Sequence, residues 1–243
     1  MSAEARVHVG CCGFAMARAA YYARFRLVEV QQTFYQPPRP QTLERWRAEA
    51  PTDFVFTLKA WQLITHEPAS PTYRRLRNPI PARLRDRYGA FRPSEEVYAA
   101  WRTSLACARA LAAPILVFQS PASFTPGQAH IANLRAFFSR ARIEAGELVL
   151  AWEPRGWPVE LAQSLCDALG LVRVLDPFRD PPPAQGLRYF RLHGGADYGH
   201  IYTDAELERL RGWCAGETWC LFNNRTMVAD AERFTRLLQG QGN

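Results

Sequence analysis

Among the 30 basic residues of this 243-residue chain, 29 are arginines and one, Lys59, is a lysine. A lysine can shed its proton when desolvated and act as base or nucleophile, whereas a guanidinium stays charged. Lys59 lies in DFVFTLKAW (53–61), an apolar run whose alternation sends Phe54, Phe56 and Leu58 to one side. Val55, Thr57 and Lys59 take the other. The same parity places Glu29, Gln31 and Thr33 together in RLVEVQQTF (26–34), Gln119 in ILVFQSP (115–121), and Glu153 and Arg155 in LVLAWEPR (148–155). It places Tyr189, Arg191 and His193 together in LRYFRLHG (187–194), while LVRVLD (171–176) ends in Asp176 and TWCLFNN (218–224) in Asn223 and Asn224. Two carboxylates with lysine, arginine and histidine suit acid–base catalysis or the holding of phosphate. Glu29, Lys59, Glu153, Asp176 and His193 are the expected catalytic groups. Gln31, Tyr35, His66, Gln119, Arg155, Arg191, Asn223 and Asn224 are the expected ligand contacts. A structural ion-pair network of Glu29 and Glu153 with Lys59, Arg155 and Arg191 is the competing reading.

The elements that must position these side chains are eight short apolar runs, the first being VHVGCCGF (7–14), separated mostly by helical patterns. QTLERWRAEA, SEEVYAAWRTSLACARALAA, QAHIANLRAFFSRARIEA, VELAQSLCDALG, TDAELERLRGW and VADAERFTRLLQ read as helices. Ser94 and Thr203 stand as N-caps before apolar stripes. Eight alternating strands predict one parallel (β/α)8 barrel of TIM type over residues 1–243, with catalytic groups at the C-terminal ends of its strands. The first turn, GCCGF, is not the GxGxxG of a dinucleotide fold. The sixth crossover, DPFRDPPPAQG, is too rich in proline for a helix, so the barrel is irregular there.

After the third strand comes a long excursion over residues 62–93, expected to lack regular structure. It carries Arg74, Arg75, Arg77, Arg83, Arg85, Arg87 and Arg92 with Asp86 between them. Those arginines, with Tyr73, Tyr88 and Phe91, suit an arm for nucleic acid; a solvated basic loop is the plainer alternative. The net charge of +7 and a sequence pI of about 9.3 favour encounter with phosphate-bearing partners. No run of about 18 apolar residues exists for a membrane span, and the amino-terminal stretch MSAEARVHVG lacks the apolar core of a signal peptide. Six scattered cysteines without CxxC predict reduced thiols in a cytoplasmic protein, with a monomer expected. Cys11 and Cys12 read as small barrel residues before reactive thiols. Five histidines are too few for a multi-zinc site, though one divalent metal on the carboxylates is compatible.

In order along the chain, GCCGF, VEVQQTFYQPP, FTLKAWQLITH, LVFQSPASF, AWEPRGW, YFRLHG and LFNN resemble the motifs of the domain of unknown function 72 family, or YecE-like proteins. That resemblance implies a TIM-type barrel and carries Lys59 and His66 into a shared Phe-x-x-Lys…Thr-His motif. Cys11 and Cys12 replace a hydroxyl pair common in the family, and the segment Glu153–Trp157 is shorter than usual. The reaction stays open among three readings. They are phosphodiester or nucleic-acid-directed hydrolysis, a sugar-phosphate or glycoside enzyme using Lys59 and paired carboxylates, and a non-catalytic nucleic-acid binder.

Overall fold

The computed structural model describes residues 5–240; the first four residues of the amino-terminal stretch lie outside them. Eight strands pair in parallel in chain order and close as a barrel. They are β1 (Arg6–Cys12), β2 (Leu27–Val30), β3 (Val55–Lys59), β4 (Ile115–Ser120), β5 (Val149–Pro154), β6 (Val172–Leu175), β7 (Arg188–Leu192) and β8 (Glu217–Phe222). The helices are α1 (Arg18–Arg24), α2 (Gln32–Tyr35), α3 (Pro40–Glu49), α4 (Gln62–Thr65), α5 (Glu95–Leu111), α6 (Gln128–Ala145), α7 (Val159–Leu169), α8 (Asp204–Trp213) and α9 (Met227–Gln239). Between β6 and β7 the chain forms turns without a helix, as its prolines dictate. Among the described residues no helix is long and apolar enough to cross a membrane.

The chain divides into two compact units, residues 1–29, 50–55 and 174–243 in one and residues 30–49 and 56–173 in the other. In the second, Ser94 caps α5 by accepting from the Val97 N–H, and Glu95 and Glu96 complement the first turn. The buried face of α5 carries Val97, Tyr98, Trp101, Leu105 and Ala108. Trp101 leans on Phe118 of β4, whose ring also meets Phe137 and Phe138 of α6. Phe56 of β3 lies under Arg47 of α3, so the expected helix-facing parity of these strands holds. In the first unit, Thr203 and Glu206 form a reciprocal capping box on α8. There Phe54 packs on Tyr21 and Tyr22 of α1.

Three sequence expectations need correction. The second apolar run is not a strand to Phe34. The backbone turns into the right-handed helical region at Gln31, and Gln32–Tyr35 form one helical turn. Helix α1, absent from the sequence reading, has no side-chain N-cap and is a single seven-residue segment, so it carries little local signal. The long excursion is not wholly irregular, for Pro71–Arg75 and Ala82–Arg87 are 3-10 helices, the first capped by Ser70.

Candidate functional site

The polar residues at the strand ends fall into two groups, one in each unit. In the unit holding residues 30–49 and 56–173, the group is built around Phe34. Thr33 Oγ1 donates to the backbone oxygens of Lys59 (2.7 Å) and Val30 (3.1 Å), which pins the helical turn α2 to the end of β3. Gln62 Nε2 donates to Tyr35 O at 2.9 Å and fastens α4 to the same turn. Phe34 is thereby held under the Lys59 ammonium, whose Nζ lies 3.7 Å from the ring centroid. A cation so placed over an aromatic face gains about 2 kcal/mol when desolvated. The His66 ring meets Phe34 edge to face, centroids 4.9 Å apart, and its Nδ1 lies 2.8 Å from Thr65 Oγ1.

His66 is buried, and its pKa is pushed down to about 3, first by desolvation and then by the positive charges of Lys59 and Arg155. It is therefore neutral at physiological pH. Arg155, one residue past β5, keeps 36% of its side chain exposed, and its Nε meets Glu153 Oε1 at 3.0 Å. Glu153 and Gln119 are buried at the ends of β5 and β4. Behind them, Trp157 Nε1 donates to Phe124 O and Trp157 stacks on Phe124, fixing the turn that carries Arg155. Gln31 directly follows β2 and precedes α2, whereas Tyr35 lies at the end of α2 and not at a strand end. Tyr35 serves as a platform, with Arg75 stacked 4.1 Å over its ring.

In the other unit the centre is Glu29. Its Oε2 accepts from Tyr189 OH at 2.8 Å and its Oε1 pairs with Arg191 at 3.0 Å, with the side chains of Glu29 and Arg191 0% and 1% exposed. Both oxygens are engaged and out of reach of solvent, so Glu29 suits holding Arg191 better than moving a proton. Cys12, beside this pair, has its thiol pushed well up by burial, and burial lifts Cys11 to about 12. Neither has the electropositive, open setting of a reactive thiol. All six cysteines are free.

Asp176 follows β6 and accepts from two backbone N–H groups, Phe178 (3.1 Å) and His193 (3.1 Å). Burial raises its pKa against the pull of those bonds. It thus organises the backbone beneath His193, whose Nδ1 lies 3.1 Å from Asn223 Nδ2. Asn224 faces inward to the protein, donating to His200 O, Thr226 Oγ1 and Asp230 Oδ2, and so anchors the loop before α9. The sequence reading missed Tyr189, Thr33 and Phe34 as functional positions. Tyr189 shares the parity of Arg191, which is the signal that marks it, whereas Phe34 had none, because a strand pattern assigned it to the helix layer. Among the described residues no three His, Cys, Asp or Glu side chains gather to hold a metal ion. With Glu29 bound by Arg191 and Tyr189 and Glu153 by Arg155, the carboxylates do not fit the divalent-metal expectation.

The fold has solved counterparts. A DUF72 family protein of Thermotoga maritima superposes with a TM-score of 0.68 at 20% identity, over 96% of this chain and 99% of that one. A DUF72 family protein of Enterococcus faecalis gives 0.70 at 19%, over 97% and 98%. D-psicose 3-epimerase in the presence of D-fructose gives 0.55 at 11%, over 92% and 91%, a likeness of fold alone. No curated protein matches the sequence. The family described as Protein of unknown function DUF72 matches residues 15–243, and the chain belongs to that family.

Proposed function

We propose that this protein is an enzyme acting on a phosphate-bearing ligand at the ends of β3 and β5, with hydrolysis of a phosphodiester as its reaction. One observation carries the reading: the Lys59 ammonium and the buried His66 imidazole share the Phe34 ring, and burial, then the charges of Lys59 and Arg155, keep that imidazole neutral. The Lys59 ammonium is held in place by Phe34, and the half-exposed guanidinium of Arg155 presents a fork suited to two phosphate oxygens. A phosphate anion received by this pair offsets the charges that press on His66, so ligand binding raises the basicity of the imidazole. His66 then takes a proton from the attacking water as its oxygen joins phosphorus. The phosphorus–oxygen bond to the leaving group breaks, and the same proton passes to the departing alkoxide. Lys59 acts in this scheme as a charge and not as a Schiff-base nucleophile.

Thermal unfolding in a series of inorganic phosphate concentrations tests the binding half. Saturable stabilisation is expected in the native chain and its loss in Lys59→Met and in Arg155→Met. Stabilisation of equal size in both variants would discard the clamp. Turnover of bis(4-nitrophenyl) phosphate tests the reaction. Lys59→Arg keeps a positive charge but no primary amine, so retained turnover supports the electrostatic role. Complete loss in Lys59→Arg with phosphate binding intact would favour amine chemistry, the sugar-phosphate alternative.

A further inference from the structure

The excursion after α4 carries a charge pattern that the strand-end group does not use. Arg74, Arg75, Arg77, Arg83, Arg85 and Arg87 are all exposed. Arg87 pairs with Glu96, and Arg75 stacks on Tyr35. Among the described residues, no carboxylate pairs with Arg74, Arg77, Arg83 or Arg85. The segment is nevertheless well tied down. The backbone N–H groups of Gly89, Ala90 and Phe91 donate to the oxygens of Leu63, Thr65 and Ile64. Tyr73 OH donates to His66 O at 2.8 Å, and the Arg77 N–H to Gln36 Oε1 at 2.9 Å. Four uncompensated guanidinium groups are thus displayed on an ordered support fastened to the turn that carries His66.

A hollow of about 300 Å³ opens among Pro68, Pro71, Leu76, Pro79 and Ile80, and Arg74 and Arg85 also line it. A mixed lining of prolines and aliphatic side chains with Ser70, Tyr73 and two arginines suits a flat or sugar-like group that brings a phosphate with it. A bilayer is a poorer occupant. Among the described residues the exposed large apolar side chains are Ile143, Tyr198 and Ile201, none of them in this segment to insert among lipid chains. A duplex is poorer as well, since its bases are stacked away and the arm offers two short 3-10 helices where groove reading uses an α-helix or a β-ribbon.

We infer that the arm of residues 68–87 binds single-stranded nucleic acid, with phosphates on Arg74, Arg77, Arg83 and Arg85 and one nucleoside in the hollow. The inference rests on the phosphate-bearing reading for the class of substrate, and it makes that substrate a polymer gripped at a distance from its reacting phosphate.

The test is fluorescence anisotropy of a labelled twelve-residue oligothymidylate with the full chain, in salt from 50 to 300 mM. The four arm contacts contribute roughly −2.8 to the slope of log affinity against log salt on a single strand, at about −0.7 for each contact, beside the share of the phosphate on Lys59 and Arg155. The variant Arg74→Ala/Arg77→Ala/Arg83→Ala/Arg85→Ala is expected to bind more than tenfold more weakly at 50 mM, with a slope shallower by roughly 2.8. Its far-UV circular dichroism should be unchanged, because all four side chains are exposed. Ile80→Trp, which fills the hollow, should weaken binding and leave the slope as it was. Binding that keeps its slope in the fourfold variant overturns the inference. So does an absence of binding at 50 mM, or arm-dependent binding to phosphatidylserine vesicles without binding to the oligonucleotide. Phosphate stabilisation dependent on Lys59 and Arg155 that survives alongside any of these results leaves the strand-end reading standing and removes the arm alone.

Discussion

Replacing Arg191 by methionine tests the buried centre of the first unit. The side chain is 1% exposed and its guanidinium meets Glu29, itself 0% exposed, at 3.0 Å. Methionine fills much of the same space without a charge, and leaves the Glu29 carboxylate to the Tyr189 hydroxyl with its cation gone. Removing one partner of a buried pair costs about 3–5 kcal/mol, because the remaining charge keeps its desolvation penalty. For 243 residues the unfolding entropy is about 0.5 kcal/mol per degree. The expected fall in melting temperature is therefore about 6–10 °C. Glu29→Gln/Arg191→Met removes both charges and retains an acceptor for Tyr189, so it should recover most of the loss, to within about 2 kcal/mol of the native chain. Urea denaturation followed by tryptophan fluorescence, with calorimetry beside it, measures all three proteins. A double variant as unstable as Arg191→Met alone would refute the electrostatic account and assign the cost to packing.

Two further outcomes follow from the second unit. His66 is held near 3 when folded and titrates near 6.5 when unfolded, so below pH 6.5 the unfolded chain binds more protons. Its contribution is fully present above pH 6.5 and is lost progressively as pH falls towards 3. At pH 5 the loss is about 2 kcal/mol, and His66→Gln should lack this part of the acid sensitivity when denaturation midpoints at pH 7 and pH 5 are compared. An equal drop in both proteins would refute the assignment. Gly89 has φ +75°, and a Cβ there would lie 2.1 Å from His66 O and 2.4 Å from His66 C. Gly89→Ala should therefore cost more than about 1 kcal/mol and loosen the arm, read as faster amide exchange at Gly89, Ala90 and Phe91. Unchanged exchange would show that the backbone bonds to Leu63, Thr65 and Ile64 do not hold the segment.

The alternation of apolar residues and the caps at Ser94 and Thr203 are local signals, written within a few residues of the element that they specify. That is why eight parallel strands, the six longer helices and the missing sixth crossover helix were legible, while α1, α2 and α4 were not, and why parity alone grouped Tyr189 with Arg191 and Lys59 with Thr57. The boundaries of β2 were not legible. Among residues 31–34 only Phe34 is apolar, at the parity of Val28 and Val30, and bonds from Thr33 to Lys59 and from Gln62 to Tyr35, across 26 and 27 residues, favour a helical turn there. That turn moves Phe34 from the helix layer to the support of Lys59 and His66. Charge types and counts were likewise visible in the sequence, but partners were not. Whether a carboxylate can act depends on what occupies its oxygens, and for Glu29 these are Tyr189 and Arg191, about 160 residues away. For Asp176 they are backbone N–H groups, which every residue but proline carries, so no residue type announces them. The sequence by itself determined the barrel and the residue types at its strand ends. The tertiary structure alone decided which charges pair with one another, because that depends on distance and desolvation, and neither is a local property of the chain.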